Sequence, residues 1–161
     1  MNIEFELDGS KVNADVPPMT LLADLLRDQF KIKSIHKGCR SGECGACTVL
    51  IENSIALSCL VPVFSIRGKK IITIEGIRKT KEYTTILKAF NDAEYDPCSY
   101  CRPSKILSLY ALLEINLNPD DDEILSSLSG TSCYCTGYSN LQKAAGIAAA
   151  SIRRKRRARK R

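Results

Sequence analysis

The chain has 161 residues, of which 44% are hydrophobic and 26% are charged, so it can form one ordinary domain or two small ones. No apolar run approaches the roughly 18 residues that a membrane-spanning helix needs, and the alternating acidic start of the chain is not that of a signal peptide. The formal charge of +6 does not indicate a nucleic-acid-binding face, because residues 153–161 carry eight of the 24 Lys and Arg residues and leave a slightly acidic body.

The first half of the chain predicts a small sheet with one helix across it. Alternating apolar and polar residues on both sides of Asp8 and Gly9 predict a β-hairpin with one buried face. Thr20 is placed to cap a helix whose leucines form an apolar stripe through about Phe30. Three further strands are predicted, over residues 48–51, 55–59 and 70–74. Two hairpins with one helix packed across them predict an N-terminal β-grasp, ferredoxin-like domain over residues 1–78.

Four cysteines in this half have the spacing of plant-type [2Fe-2S] ligands, C-x4-C-x2-C with the fourth after eleven more residues. They are Cys39, Cys44, Cys47 and Cys59. Gly38, Gly42 and Gly45 can take positive φ, which lets the loop curl tightly and lets N–H groups approach the cluster sulfurs. The second hairpin would bring the fourth cysteine back beside the third. Disulfides are disfavoured without an export signal, and structural zinc usually takes two close ligand pairs, so we favour an iron–sulfur cluster here.

From about Thr84 the hydrophobic period becomes helical. Helices are predicted over residues 84–92, 103–117, 120–129 and 138–152, with breaks at two Pro positions and one Gly. Brief connections between four short helices predict a C-terminal four-helix bundle over residues 79–152. The predicted fold class is therefore α+β. The basic stretch 153–161 is expected to be a disordered, solvated tail.

Four more cysteines form a second set in the helical half. They are Cys98, Cys101, Cys133 and Cys135, and each pair immediately precedes a predicted helix. Free N–H groups and the positive dipole end of a helix favour thiolates. The spacing leaves three possibilities open: a second [2Fe-2S] cluster, a zinc ion, or a redox disulfide between the first two cysteines. Such cysteine clusters are typical of the cytoplasm, where thiols stay reduced, and we expect the protein there.

Residues 1 to about 152 resemble the small iron–sulfur subunit of the molybdenum hydroxylase family, which includes xanthine, aldehyde and carbon monoxide dehydrogenases. Three segments carry the resemblance. Residues 38–49 are similar to the family's first-cluster motif G-C-R-x-G-x-C-G-A-C-T-V, residues 58–62 to its closing strand, and residues 133–138 to its second-cluster motif. The resemblance therefore favours a [2Fe-2S] cluster over zinc at the second set of cysteines.

The resemblance implies that all eight cysteines are cluster ligands and that the chain has no catalytic residue of its own. It implies a hetero-oligomer in which a large subunit binds molybdopterin and a medium subunit binds FAD. Electrons would pass from the molybdenum centre through both clusters to FAD or another acceptor. In the family the second cluster lies nearer the pterin, with Cys135 beside it, and the first lies on the exit side.

The second-cluster region departs from the family pattern at several positions. Pro97 stands where the family usually has a Gln that reaches toward the pterin, and Tyr134 stands where it usually has Arg between the two cysteines. Ser99 replaces a Gly, and residues 101–104 read C-R-P-S instead of C-T-P-G. All four cysteines are present, so the cluster is still expected to form, and these differences bear on the contact with the pterin.

Two other functions are compatible with the residues alone. An independent two-cluster ferredoxin would be a monomeric electron carrier that meets several partners. A nucleic-acid-binding regulator would use the basic tail for contact and a cluster as a sensor. The chain shows no pair of acidic or nucleophilic side chains at catalytic spacing, and His36 is expected to be a loop residue close to the first cluster.

Overall fold

The computed structural model describes residues 1–159. Five strands form one mixed sheet in the first half of the chain, in the order β2-β1-β5-β3-β4. The central β5 pairs in parallel with β1, and the other neighbours are antiparallel. The strands are β1 (Asn2–Leu7), β2 (Ser10–Asp15), β3 (Thr48–Ile51), β4 (Ser54–Leu57) and β5 (Lys70–Ile72).

The predicted first hairpin is confirmed. Asp8 and Gly9 connect β1 to β2 with φ of 50° and 85°, the two positive values that a type I′ turn requires. The Asp8 carboxylate also accepts hydrogen bonds of 2.7 Å from both the amide and the hydroxyl of Thr73. The turn therefore ties the start of the chain to the segment that follows β5.

The helix predicted after β2 is present, but Thr20 does not cap it. Helix α1 (Leu22–Asp24) begins without a side-chain cap and continues as a π-helical segment, Leu25–Gln29. The backbone of Thr20 instead accepts a bond of 2.9 Å from the amide of Val63. Backbone pairing with the segment that contains Val63 thus holds the start of the helix in place of the expected side-chain cap.

The helices of the second half differ from the predicted bounds only near their ends, with one addition. Helix α2 (Ile74–Ile77) was not predicted and takes the place of the end of the strand expected over 70–74. Helix α3 (Lys81–Asp92) begins before residue 84, because the Thr80 hydroxyl accepts from the Tyr83 amide and caps the helix there. The other helices are α4 (Arg102–Ile115), α5 (Asp121–Leu128) and α6 (Tyr138–Arg159).

The predicted disordered tail is wrong for residues 153–159, which continue α6. Three of their basic side chains contact α3, α4 or the connection after α4. Lys155 donates a bond of 2.8 Å to the Thr85 hydroxyl, Arg156 pairs with Glu114, and Arg153 donates to Asn118. Residues 160 and 161 lie outside the described residues.

Two apolar cores are present, one in each half. The first lies under the sheet and includes Ile3, Leu22 and Val49; the second lies among α3 to α6 and includes Ile86, Leu109 and Ala145. Leu50 of β3 packs into the second core, and α4 lies against β3. These contacts confirm the α+β class. Within residues 1–159, no helix combines the length and apolarity that crossing a bilayer would require.

Candidate metal centres

The first cysteine set lies in a loop that enters β3 and is held to α1 by ion pairs. The Lys37 ammonium lies 3.0 Å from the Asp24 carboxylate and 2.9 Å from that of Asp28. Arg40 adds a contact of 3.3 Å with Asp24. Cys39 stands between these two basic residues, so the ion pairs fix the start of the loop.

The three glycines of this loop serve different purposes. Gly42 and Gly45 take positive φ, as predicted, at 83° and 68°. Gly38 does not, and its lack of a side chain provides space instead. A Cβ there would lie 2.3 Å from the Tyr100 hydroxyl oxygen and 3.0 Å from Cys44 Sγ. Arg40 is the additional residue with positive φ, at 58°.

Cys59 returns beside Cys47, as the predicted hairpin requires. In the β3–β4 register Thr48 pairs with Leu57, which places Ser58 opposite Cys47. Both the amide and the hydroxyl of Ser58 donate to the Cys47 carbonyl, over 3.2 Å and 2.6 Å. Cys59 itself lies just past the end of β4, in a 3-10 turn over Ser58–Leu60, and is buried.

The thiols of the first set have unlike acidities. Cys39 Sγ accepts hydrogen bonds from the amide of Cys44, over 3.3 Å, and from Ser41, which lowers the pKa of Cys39 to about 6. Burial and the neighbouring Cys47 thiol raise the pKa of Cys59 to about 11. N–H groups aimed at sulfur stabilise the thiolate, the form that binds metal. The Cys39 thiol therefore forms a thiolate at a lower pH than the buried Cys59 thiol.

The second cysteine set lies where two helices begin. Cys101 is the N-cap residue of α4, and Cys98 lies one turn earlier, with its carbonyl accepting from the Arg102 amide over 3.0 Å. Cys133 and Cys135 lie in the connection that leads into α6. Cys101 is buried, whereas Cys98 and Cys135 are exposed. Both pairs thus precede helices, as predicted, and one side of the set faces outward.

The four thiols of the second set act on one another's pKa values. Burial and the charge of Cys133 raise the pKa of Cys101 to about 12, and the hydrogen bond with Cys98 raises the pKa of Cys135. The amides of Cys101 and Tyr100 lower the pKa of Cys98. Burial alone would raise the pKa of Cys133, but hydrogen bonds led by the Thr136 hydroxyl lower it.

Each set supplies four free cysteine thiols, and this donor set fits a [2Fe-2S] cluster. Structural zinc requires four donors around one ion, whereas the two irons of a [2Fe-2S] cluster share four thiolates between them.

One short segment, residues 130–132, connects the two cysteine sets. The Ser132 amide donates to the Cys44 carbonyl over 3.2 Å, and its hydroxyl donates to the Glu43 carbonyl over 3.3 Å. On the other side, Cys101 Sγ donates to the Ser132 carbonyl over 3.7 Å. A Cβ on Gly45 would lie only 2.1 Å from the Gly130 carbonyl oxygen. The two cysteine loops therefore touch through backbone.

An aromatic pair forms a second connection. Tyr100 lies between Cys98 and Cys101 in sequence and stacks on His36 of the first loop, with ring centroids 4.4 Å apart. Burial raises the pKa of Tyr100, and so do the charges of cysteines from both sets. Burial and Arg27 lower the pKa of His36, against a hydrogen bond to the Ser99 backbone. His36 is thus near the first set, as expected, but it also contacts the second.

Three residues of this region were not found from the sequence: Tyr100, Ser132 and Lys105. Lys105 is buried one turn after Cys101, and its ammonium donates to the carbonyls of Leu128 and Thr131. A charged residue inside the apolar run of α4 was the available signal. Tyr134, singled out as a departure from the family pattern, is 99% exposed between two cysteines.

Two family models match the chain. One is described as a 2Fe-2S iron-sulfur cluster binding domain and matches residues 5–64. The other is described as a [2Fe-2S] binding domain and matches residues 73–146. The first four cysteines lie within the first match and the other four within the second.

Individual proteins are similar over nearly the whole chain. The nicotinate dehydrogenase small FeS subunit of Eubacterium barkeri is 35% identical over 144 residues, which cover 89% of this chain and 92% of the relative. The nicotine 6-hydroxylase small subunit of Paenarthrobacter nicotinovorans is 33% identical over 144 residues, which cover 89% of this chain and 87% of the relative. The crystal structure of quinoline 2-oxidoreductase from Pseudomonas putida 86 superimposes with a TM-score of 0.86 and 29% identity over 96% of each chain.

Proposed function

Because this chain belongs to the family of small [2Fe-2S] subunits of molybdenum hydroxylases, we propose that it relays electrons within a molybdopterin-dependent oxidoreductase. The electrons would come from a large molybdopterin-binding subunit and leave to FAD in a medium subunit or to another acceptor. The substrate is oxidised in the large subunit. This chain transfers the electrons and contributes no catalytic residue. Membership of a family of subunits favours this function over that of an independent ferredoxin.

The observation that carries the proposal is the contact between two cysteine sets of unlike setting. The first set lies in a loop at the edge of a sheet and the second between two helix starts, yet Ser132 bonds to both loops. A structural metal site would need only one set. Two cysteine sets joined by a few hydrogen bonds of one segment support electron transfer between two centres within a single chain.

The first cluster would be held by Cys39, Cys44, Cys47 and Cys59, and the second by Cys98, Cys101, Cys133 and Cys135. Each cluster, when bound, supplies a one-electron redox centre. The chain prepares the sites by aiming amides at Cys39 and Cys98, which favour their thiolates, and by burying Cys59 and Cys101 away from water. The buried sulfurs face the protein interior, and the exposed sulfurs face the surface, where electrons would be exchanged with partner subunits.

The exposed sides of the two sets support a direction of transfer. Cys98, Cys135 and Tyr134 are exposed together, which suits contact with the large subunit near its pterin. Beside Cys59, Leu60 and Phe64 are exposed apolar side chains, which suit a second interface on the exit side. The hetero-oligomer and its cytoplasmic location remain part of the proposal.

The finer architecture is proposed on the same basis. The mixed sheet with α1 across it supports a β-grasp domain over residues 1–78. The packing of α3 on α6, α3 on α4 and α5 on both α4 and α6 supports a four-helix bundle over 79–152. Ile74 and Ile77 precede residue 78 and pack in the helical core, so that core begins a few residues before the proposed boundary.

The experiment is metal analysis and EPR of the native protein purified anaerobically from its own cells. We expect two irons and two acid-labile sulfides for each cysteine set, and larger subunits that co-purify. Cys47→Ser should remove the first EPR signal and leave the second, and Cys135→Ser should do the reverse. A colourless or zinc-containing protein, or a chain that elutes alone in size exclusion, would contradict the proposal.

A further inference from the structure

Lys105 is the only charged side chain that is buried among residues 1–158, with 5% of its surface exposed. It lies one helical turn after Cys101 in α4. Its Nζ donates to the Leu128 carbonyl oxygen over 2.6 Å and to the Thr131 carbonyl oxygen over 2.8 Å. Buried lysines are rare because their charge must be compensated. Its position beside the second cysteine set therefore needs a physical reason.

The two carbonyls belong to the segment that approaches both cysteine sets. Leu128 is the last residue of α5, so its carbonyl lacks a helical partner. Thr131 lies immediately before Ser132, which bonds to Cys44 and Cys101. The ammonium of Lys105 thus fixes the segment on which the contact between the two loops depends.

Lys105 lies close to the second set, because it lines the same cavity as Cys133 and its backbone amide donates to the Cys101 carbonyl over 3.1 Å. Cys101 and Cys133 are the thiols that act on Lys105, and as thiolates they favour its ammonium against the effect of burial. A charge in the protein interior is poorly screened by salt and acts over a larger distance than one at the surface.

We propose that Lys105 is a positioning residue that raises the reduction potential of the second centre relative to the first. This inference depends on the proposed function, since it requires a cluster on Cys98, Cys101, Cys133 and Cys135. Reduction adds one negative charge to that centre, and a buried cation nearby stabilises the reduced state. The second centre would then hold an incoming electron more readily than its exposure to solvent alone would allow.

The test is an EPR-monitored redox titration of the iron-loaded protein with Lys105→Met and Lys105→Gln. Met removes the charge and both hydrogen bonds, whereas Gln removes the charge but keeps an amide donor for the carbonyls. We expect both variants to lower the equilibrium ratio of reduced second centre to reduced first centre about tenfold, which is about 59 mV for a one-electron couple. The midpoint of the first centre should not change.

Lys88→Met is the matched control. Lys88 is exposed on α3, so the variant has the same change of net charge without loss of a buried cation. Both midpoints should stay at their wild-type values in this control. A shift as large as that of Lys105→Met would show that net charge alone is responsible and would overturn the inference.

The remaining outcomes separate charge from structure. A shift in Lys105→Met with none in Lys105→Gln would show that hydrogen bonding alone matters, and it would overturn the inference. Equal potentials in all variants, a parallel shift of both centres, or loss of the second signal from both neutral variants would also overturn it. Failure of the proposed function is recognised separately, because the wild-type protein would then lack the second EPR signal.

Discussion

The thiols of Cys39 and Cys59 lie in the same candidate site and differ widely in acidity. Cys39 is surrounded by amide donors, whereas Cys59 is buried against Cys47. Because the thiolate is the nucleophile, this difference governs reaction with alkylating agents as well as metal binding. The cysteines of the metal-free protein should therefore react with such reagents in a defined order.

We predict that iodoacetamide modifies Cys39 well before Cys59 in the metal-free protein. The rate at Cys39 should reach half its maximum near pH 6 and level off about one pH unit higher, because its pKa is about 6 and the thiolate is then almost fully formed. The rate at Cys59 should still be rising at pH 9, because its pKa is about 11. Peptide mass spectrometry after short reaction times measures both rates. Equal rates, or a rise at Cys39 that continues through pH 8, would contradict the assignment.

At the level of single residues, the cysteines could be found from the sequence and their neighbours could not. The spacing of eight cysteines is a local pattern, and it led to both sets. Lys105 becomes part of the second site only because the carbonyls of Leu128 and Thr131 fold back onto α4, a contact across more than twenty positions. Tyr100 likewise meets His36 only in the folded chain.

Helix α6 shows how an element can be longer than its composition suggests. A run of like charges predicts disorder in isolation, because repulsion opposes a compact state. Here the repulsion is offset by partners on two helices and one connection: Thr85 of α3, Glu114 of α4, and Asn118 after α4. None of these partners is close in sequence to the basic stretch.

We predict that deletion of residues 153–161 lowers the free energy of unfolding by about 1–2 kcal/mol, the sum expected for one partly buried hydrogen bond, one exposed hydrogen bond and one surface ion pair. For a chain of this size that corresponds to a fall in Tm of roughly 2–8 °C. A thermal melt followed by circular dichroism measures it. An unchanged Tm would show that the stretch is a solvated tail after all.

The double variant Arg154→Ala/Arg157→Ala is the control for this deletion. Both side chains are exposed and make no hydrogen bond or ion pair within residues 1–159. Their removal reduces the positive charge without loss of a contact, so the free energy of unfolding should change by less than about 0.5 kcal/mol.

Other elements followed their local signals more closely. The Asp8 and Gly9 turn fixed the first hairpin, and Thr80 and Asp120 cap α3 and α5 close to the predicted starts. Helix α2 was missed because four residues are too few to show a helical period. The start of α1 was placed by pairing with a distant segment and not by a side-chain cap.

At the scale of the whole molecule, the two halves meet at Gly45. Its φ of 68° is unfavourable for any residue with a side chain, and a Cβ would lie 2.1 Å from the Gly130 carbonyl oxygen and 2.7 Å from the Thr131 Cα. Both neighbouring atoms are backbone, so they cannot turn aside as a flexible side chain could. The close approach of the two cysteine loops therefore depends on this one residue.

We predict that Gly45→Ala lowers the stability of the protein by at least about 2 kcal/mol, from backbone strain and from the forced separation of the loops. The expected fall in Tm is about 4–8 °C, measured by thermal melting. Gly146→Ala is the matched control, because Gly146 lies in α6 with open space around it. That variant should be neutral or more stable by up to about 1 kcal/mol. Equal stability of the two variants would contradict the close contact.

The parallel pairing of β1 with β5 has a consequence for biosynthesis. Leu7 pairs with Ile71, and Asp8 accepts from Thr73, so β1 leaves the ribosome more than sixty residues before its inner neighbour β5. Until then one edge of β1 is open and able to pair with another nascent chain. Cys39, Cys44, Cys47 and Cys59 are all translated before β5. During synthesis, all four cysteines of the first set are therefore available to bind metal before β5 completes the sheet that carries them.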